Sequence, residues 1–304
     1  MPTISDILPA KTSMGAVRLR VKDIKSVYDF YTRGLGLREL GSVALQHAEA
    51  GQELGANAIL LGLGERPVVI LEHDPTLRHP SRTEAGLFHL AVLFDSAAHL
   101  AKSLVSTFTR YRDYYQGAGD HLVSQAFYFS DPEGNGVELY TDRPRDTWTW
   151  RKGHVEMDTL YIDPAAFIRE HLDDEQIARS SREEISVAGQ VGHVHLQVGS
   201  VPAAHDFYVK TLGFEETSRL GNAALFVSAG AYHHHMAMNT WNSSGAGPRQ
   251  KTLGLGQVNL VLPTTEALAL AEDRLKVAGF APTFDGQSLT VADPWNNQLA
   301  LRAL

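Results

Sequence analysis

Apolar and polar positions alternate in four stretches of the chain, starting near residues 15, 87, 192 and 255. Residues 192–198 read G-H-V-H-L-Q-V. Side chains of a strand alternate faces, so Val194, Leu196 and Val198 share one face and His193, His195 and Gln197 the other. The first stretch puts Val17, Leu19 and Val21 on one face, with Ala16, Arg18 and Arg20 opposite. One face belongs to a core; the polar face is expected to line something wet. After each stretch comes a segment of helical character, at 24–32, 97–108, 201–212 and 265–278. Gly-punctuated apolar runs follow, such as 58–63 with 68–72 and 126–130 with 137–140. The pattern predicts an α+β chain of four βαβββ units. Such a unit is open on one face and must pair with another to bury it.

The chain repeats itself. Residues 17–37 align without a gap on 194–214 at an offset of 177, matching Asp29/Asp206, Phe30/Phe207, Tyr31/Tyr208, Leu35/Leu212 and Gly36/Gly213. D-P-E-G-N-G-V-E-L at 131–139 has its counterpart in D-P-W-N-N-Q-L-A-L at 293–301. The division is an N-terminal domain at 1–145, a linker at 146–189 and a C-terminal domain at 190–304, each domain holding two units. The linker is expected to be helical, with Asp163 and Asp173 as N-caps.

Composition narrows the function classes. Thirty-five acidic residues outweigh 27 Lys and Arg, a formal charge of −8, with no basic tail. That balance argues against a nucleic-acid partner. Cysteine is absent, which excludes disulfides, thiolate metal sites and Cys nucleophiles. The first residues do not read as a signal peptide, and no apolar run approaches membrane-spanning length. A soluble cytoplasmic protein is expected, without a membrane partner.

Histidine is abundant, with 14 residues. His89 is the lone polar residue of an apolar strand over 87–94, and Glu138 lies between Val137 and Leu139 after a tight turn. A carboxylate on an apolar strand is expensive to bury unless it is paired or bound to metal. The residues alone leave other readings open. His89 could be a satisfied core histidine. Glu138 could pair with Arg143 or Arg145, and His195 rivals His193 on the same face. His47, His73, His79 and His99 read as surface or loop residues.

V-R-L-R-V-K-D at 17–23, F-Y-T-R-G-L-G-L at 30–37, G-L-F-H-L-A at 86–91 and D-P-E-G-N-G-V-E-L at 131–139 together resemble the vicinal oxygen chelate superfamily. That superfamily includes glyoxalase I, bleomycin-resistance proteins and extradiol dioxygenases. G-H-V-H-L at 192–196, A-Y-H-H-H-M-A-M-N-T-W at 231–241 and the D-R-P-R-D-T-W that closes the first domain look like two-domain catechol 2,3-dioxygenases. The resemblance covers both halves and excludes the linker. It implies a duplicated, cupped fold with a divalent metal held by two His and one Glu.

By that resemblance the first-strand ligand slots hold Ala16, His89, His193 and Gln257, and the carboxylate slots hold Glu138 and Ala300. Neither half is complete. Only unit two paired with unit three brings together His89, Glu138 and His193, which implies a metal-free cup from units one and four. Fe(II), or Mn(II) with the same ligands, would be the cofactor, and a small aromatic diol and O2 the partners. The resemblance implies His234 as general base then acid, Tyr128 as a hydrogen-bond partner of a substrate oxygen, and His121 as a further histidine upstream of that Tyr. If 233–235 is a strand, His234 faces opposite to His233 and His235. Asn239 and Trp241 are candidates for the pocket wall. Competing functions are a glyoxalase-like isomerase or thiol transferase, and a metal-free protein that sequesters ligands. Oligomeric state and the ring substituents of the substrate stay open.

Overall fold

A computed structural model of the chain describes residues 7–41 and 55–304. A short strand, β1 (Ser13–Met14), precedes four βαβββ units. Unit one is β2 (Val17–Val21), α1 (Ile24–Asp29), β3 (Arg38–Glu39), β4 (Ala58–Leu63) and β5 (Arg66–His73). Unit two is β6 (Gly86–Phe94), α2 (Ala97–Tyr111), β7 (Tyr115–Asp120), β8 (Ser124–Ser130) and β9 (Gly136–Asp142). The connecting segment holds a hairpin, β10 (Trp150–Arg151) with β11 (His154–Val155), then α3 (Pro164–His171) and α4 (Asp174–Arg182). Unit three is β12 (Gly189–Gln197), α5 (Val201–His205), β13 (Glu215–Leu220), β14 (Ala224–Ser228) and β15 (Met236–Asn239). Unit four is β16 (Gly254–Leu262), α6 (Thr265–Val277), β17 (Thr283–Phe284), β18 (Ser288–Ala292) and β19 (Gln298–Ala303).

The first strand of every unit runs parallel to its last, β2 with β5, β6 with β9, β12 with β15 and β16 with β19. Two units then join first strand to first strand, antiparallel. β6 pairs with β12 and β2 with β16. One sheet therefore runs β13-β14-β15-β12-β6-β9-β8-β7, from units three and two. The other runs β17-β18-β19-β16-β2-β5-β4-β3, from units four and one. The pairing crosses the duplication, as the distribution of slot residues implies. The faces that carry Val17, Leu19, Val21, Leu90, Val92, Val194 and Leu196 merge into one buried core with the helices. Among the described residues no helix is long and apolar enough to cross a membrane.

Local chemistry explains the repeated motifs. Asp131 Oδ1 accepts from the backbone N–H of Glu133 and of Asn135, both at 2.9 Å. Asp293 does the same for Trp295 and Asn297, both at 2.8 Å. Each D-P motif is thus a side-chain-closed turn that feeds the last strand of its unit. The turn residue has positive φ in both copies, at Gly134 and at Asn296, which those two residue types tolerate. In the connecting segment Asp163 and Asp173 cap α3 and α4, the latter in a reciprocal capping box with Gln176. The segment is not helical throughout, because the Trp-rich stretch folds into the β10–β11 hairpin. His47 lies outside the described residues.

Two bulges shape the β6–β12 seam. The register skips Gly192 on β12 and Phe88 on β6, the residues immediately before His193 and His89. A bulge bends its strand and re-aims the next side chain. At Gly192 a Cβ would sit 1.7 Å from the Tyr140 hydroxyl, so the glycine makes room for that ring beneath the seam. Gly192→Ala is expected to destabilise the fold by roughly 1–3 kcal/mol, an overpacking cost. Urea denaturation of the variant against the parent measures it.

Candidate metal centre

Cross-strand register explains why three side chains from two halves meet. His193 on β12, Ala91 on β6 and Glu138 on β9 lie in one row. The neighbouring row holds His195, His89 and Gly136. Ala91 and Gly136 leave space beside two long side chains, and His89 turns into it. A Cβ on Gly136 would lie 3.0 Å from the His89 Cβ and 2.1 Å from the Phe88 carbonyl oxygen.

The three donors converge. His89 Nε2 lies 3.0 Å from Glu138 Oε2, His193 Nε2 lies 3.2 Å from the same oxygen, and the two Nε2 atoms are 3.3 Å apart. All three residues are buried. Burial raises the Glu138 carboxyl, but His193 and His89 outweigh it and hold the group well below the usual carboxylate range. Burial pushes His193 down to about 4 against the opposing pull of Glu138. At neutral pH the site therefore presents a carboxylate beside a neutral imidazole. Neither Arg143 nor Arg145 reaches Glu138. Arg143 pairs with Asp120, and Arg145 lies over the rings of Trp148 and Tyr232.

The donor set fits a divalent metal. Without an ion both Nε2–H groups can donate to Glu138 Oε2; with the imidazoles in their other tautomer the same three atoms offer lone pairs to one point. With the Nε2 lone pairs turned inward, each ring carries its hydrogen on Nδ1. His89, Glu138 and His193 can hold a metal ion, their donor atoms all lying within 4.8 Å of one another. Two imidazoles and one carboxylate suit iron or manganese.

The other sequence candidates flank this cluster. Strand order runs β15-β12-β6-β9-β8, so side chains near its two ends approach from opposite sides. Tyr128 on β8 is opposite Glu138 in register, and its ring centroid is 5.7 Å from that of His89. Its hydroxyl is 2.7 Å from His121 Nε2, and His121 Nδ1 is 2.8 Å from the Asp158 carbonyl oxygen. Burial, then Glu138, raises the Tyr128 phenol well above 10. On the other side, the His234 ring packs at a tilt against His193, with ring centroids 4.1 Å apart. Burial holds His234 well below its ordinary value, so it is a neutral imidazole.

Residues 233–235 are irregular backbone, bent at 233 and 235, leading into β15 and not a strand. Alternation therefore does not order them. His233 Nδ1 lies 2.7 Å from His234 Nδ1, and His233 Nε2 lies 3.0 Å from Asp142 Oδ1. His235 Nδ1 lies 2.9 Å from Ser228 Oγ. The expectation of a wet polar face is corrected too. His193 and His195 are buried, because Tyr140 packs on His193 and Phe88, Phe226 and Trp241 surround His195. His195 does not join the cluster as a fourth donor; Asn239 Nδ2 donates to its Nε2 at 3.0 Å. Trp241 is half-exposed and packs on Phe88. Sequence reasoning missed the pair Tyr140–Tyr232, whose hydroxyls are 2.8 Å apart, and Asp142, which accepts from Tyr232 at 3.1 Å. No local motif signals a bond between residues 92 apart in sequence.

The profile of the Glyoxalase/Bleomycin resistance protein/Dioxygenase superfamily matches residues 13–139 and 190–301. The chain belongs to this superfamily. A Catechol-2,3-dioxygenase of Bacillus subtilis is 34% identical over 287 residues, covering 93% of this chain and 94% of its own length. Glyoxalase I of Zea mays shares the fold, with a TM-score of 0.55 at 13% identity, over 96% of this chain and 92% of that one. The cppA protein of Streptococcus pneumoniae does so too, with a TM-score of 0.53 at 12% identity, over 98% and 99%. Superfamily membership confirms the duplicated, cupped α+β architecture.

Two outcomes are expected. Glu138→Gln and His193→Ala bind Fe(II) or Mn(II) at least ~100-fold more weakly than the parent, since even residues that only orient ligands change affinity by ~10–100-fold. Metal content after dialysis and calorimetric titration check this. The second concerns pH. Buried His193 and His235, pushed down to about 4 and about 3, stay neutral where the unfolded chain, with imidazole pKa near 6.5, takes up protons. The unfolded state then binds more protons, so stability is full above that range and falls as pH drops through it. Depressed Glu138 adds a further loss only below its unfolded value of about 4.5. Urea denaturation of the metal-free protein at pH 7.5 and pH 5 should show a loss of at least ~2 kcal/mol.

Proposed function

We propose that this chain is an extradiol ring-cleaving dioxygenase that inserts O2 into a small catechol-type or hydroquinone-type aromatic, acting in the cytoplasm without a nucleic-acid or membrane partner. One observation carries the reading. A two-His, one-Glu cluster is flanked from opposite sides by a neutral imidazole, His234, and a protonated phenol, Tyr128. The 34% identity to the Bacillus subtilis Catechol-2,3-dioxygenase supports it over nearly the whole chain.

Fe(II) held by His89, Glu138 and His193, or Mn(II) on the same donors, would leave positions open for a diol and dioxygen and carry electrons between them. The remaining work falls to the chain. His234 is held through Nδ1 by His233, which is in turn held by Asp142. Its Nε2 is left to take a substrate hydroxyl proton and later return it, a role that suits an uncharged imidazole. Tyr128 keeps its proton at neutral pH and donates it in a hydrogen bond to His121 Nε2, so the lone pairs of its oxygen are left to accept a hydrogen bond from a substrate hydroxyl. His121 fixes the phenol's direction and is itself anchored on the Asp158 carbonyl. Phe88, Trp241 and His195 form an aromatic wall beside His89, suited to stacking against a planar ring.

The test is anaerobic loading with Fe(II), then addition of substituted catechols or hydroquinones and O2. O2 uptake and a yellow ring-fission product are expected. His234→Ala should lower turnover at least ~100-fold with metal content unchanged, and Tyr128→Phe by about tenfold, within the range for positioned proton-transfer groups. A fully loaded protein that consumes no O2 with any such diol would overturn the reading.

A further inference from the structure

The sheet of units four and one forms a second cup with no metal donors at the matching positions. Ala16, Gln257 and Ala300 stand there, and Ala16, Leu60 and Ile70 pack into a small apolar cluster. Its chemistry is cationic instead. Arg20, the repeat counterpart of Gln197, lines a cavity of about 430 Å³ together with Arg249 and Lys251. The amides of Gln250, Asn296 and Gln298 add neutral donors, and no carboxylate lines the cavity.

The charges around this cavity do not balance. Glu72 is shared between Arg18 at 3.4 Å and Arg20 at 3.9 Å, and Asp74 pairs with Lys251 at 3.1 Å. With Arg78, Glu84 and Asp293, whose charges reach Arg249, five cations face four carboxylates. Arg249 is buried, yet its guanidinium donates only to neutral acceptors: the Leu255 carbonyl at 3.1 Å, Asn297 Oδ1 at 3.4 Å and Thr252 Oγ1 at 2.9 Å. Among the described residues no carboxylate forms an ion pair with it. Arg20 Nε is buried beyond hydrogen-bonding distance of its ion-pair partner Glu72. A buried charge without a counter-charge is costly, and a fold that keeps one beside an open cavity has room for its partner. Burial, then the nearby Arg20, already pushes the Arg249 guanidinium down to about 10.

We infer that this cavity binds an oxyanion, the phosphate or carboxylate group of a small metabolite, at a site distinct from the metal centre. Arg20 supplies one guanidinium, Arg249 a second that has no ion-pair partner among the described residues, and Lys251 an ammonium held at the rim by Asp74. Guanidinium groups suit phosphate and carboxylate alike, because their donors form a planar fork. The volume admits an anion several carbons long as well as free phosphate.

The test is calorimetric titration and thermal unfolding of the full, metal-free chain with inorganic phosphate, with adipate, and with sodium chloride at matched ionic strength. At least one oxyanion should bind more tightly than about 1 mM and raise the melting temperature beyond the chloride control. Phosphate alone points to a phosphorylated metabolite, adipate alone to a carboxylic acid, and both to a general oxyanion site. Arg20→Gln should weaken binding at least tenfold, with circular dichroism confirming the fold. Lys251 is half-exposed, so Lys251→Gln leaves the fold intact and should weaken binding several-fold. The inference is overturned if neither oxyanion exceeds chloride, or if folded Arg20→Gln and Lys251→Gln both bind as the parent does.

Discussion

The antiparallel seam between β6 and β12 is where the two halves of the chain become one site. Each strand brings one histidine, and each bulges at the residue just before it, at Phe88 and at Gly192. Between the bulges the ladder is regular, with His193 opposite Ala91 and His195 opposite His89, so His89 and His193 are diagonal neighbours on one face. Both rings meet Glu138, which arrives on the strand parallel to β6, opposite Ala91. The geometry rests on small residues as much as on the donors. Gly136 lets β9 approach His89, Ala91 leaves the space the rings fill, and Gly192 admits Tyr140 below. A buried carboxylate and two buried imidazoles are tolerable together because each answers the desolvation of the others.

The duplicated fold makes two cups of the same shape with different contents. One concentrates imidazoles, a carboxylate and phenols; the other concentrates guanidinium groups around a filled apolar floor. Single substitutions at equivalent positions decide which. Ala16 stands where His193 stands, Gln257 where His89 stands and Ala300 where Glu138 stands. Backbone shape is therefore shared, and chemistry is assigned by side chains at a few register positions.

Much of this was readable in the chain before any coordinates. The gapless offset between 17–37 and 194–214 and the repeated D-P turns define four units, and the uneven distribution of His and Glu across their slots implies pairing of units two and three. Strand alternation separates Val194 and Leu196 from His193 and His195. Other features were not readable, for physical reasons. Alternation says nothing about residues 233–235, because that segment is bent backbone and not strand. Burial of the polar face depends on Phe88, Phe226, Trp241 and Tyr140 closing over it from four separate elements. The Asp142–His233–His234 chain and the Tyr140–Tyr232 contact join distant residues through tertiary packing, which carries no periodic signal. The superfamily resemblance supplied the roles of His121, Tyr128 and His234; spacing alone does not.

The central claim is that one cation sits where units two and three meet. Anomalous diffraction at the iron edge from crystals grown with Fe(II) addresses it directly. A single strong peak within bonding distance of His89 Nε2, Glu138 and His193 Nε2 is expected, with the second cup empty of iron. Iron bound elsewhere in the chain, or a peak that excludes any one of these three side chains, would contradict the account.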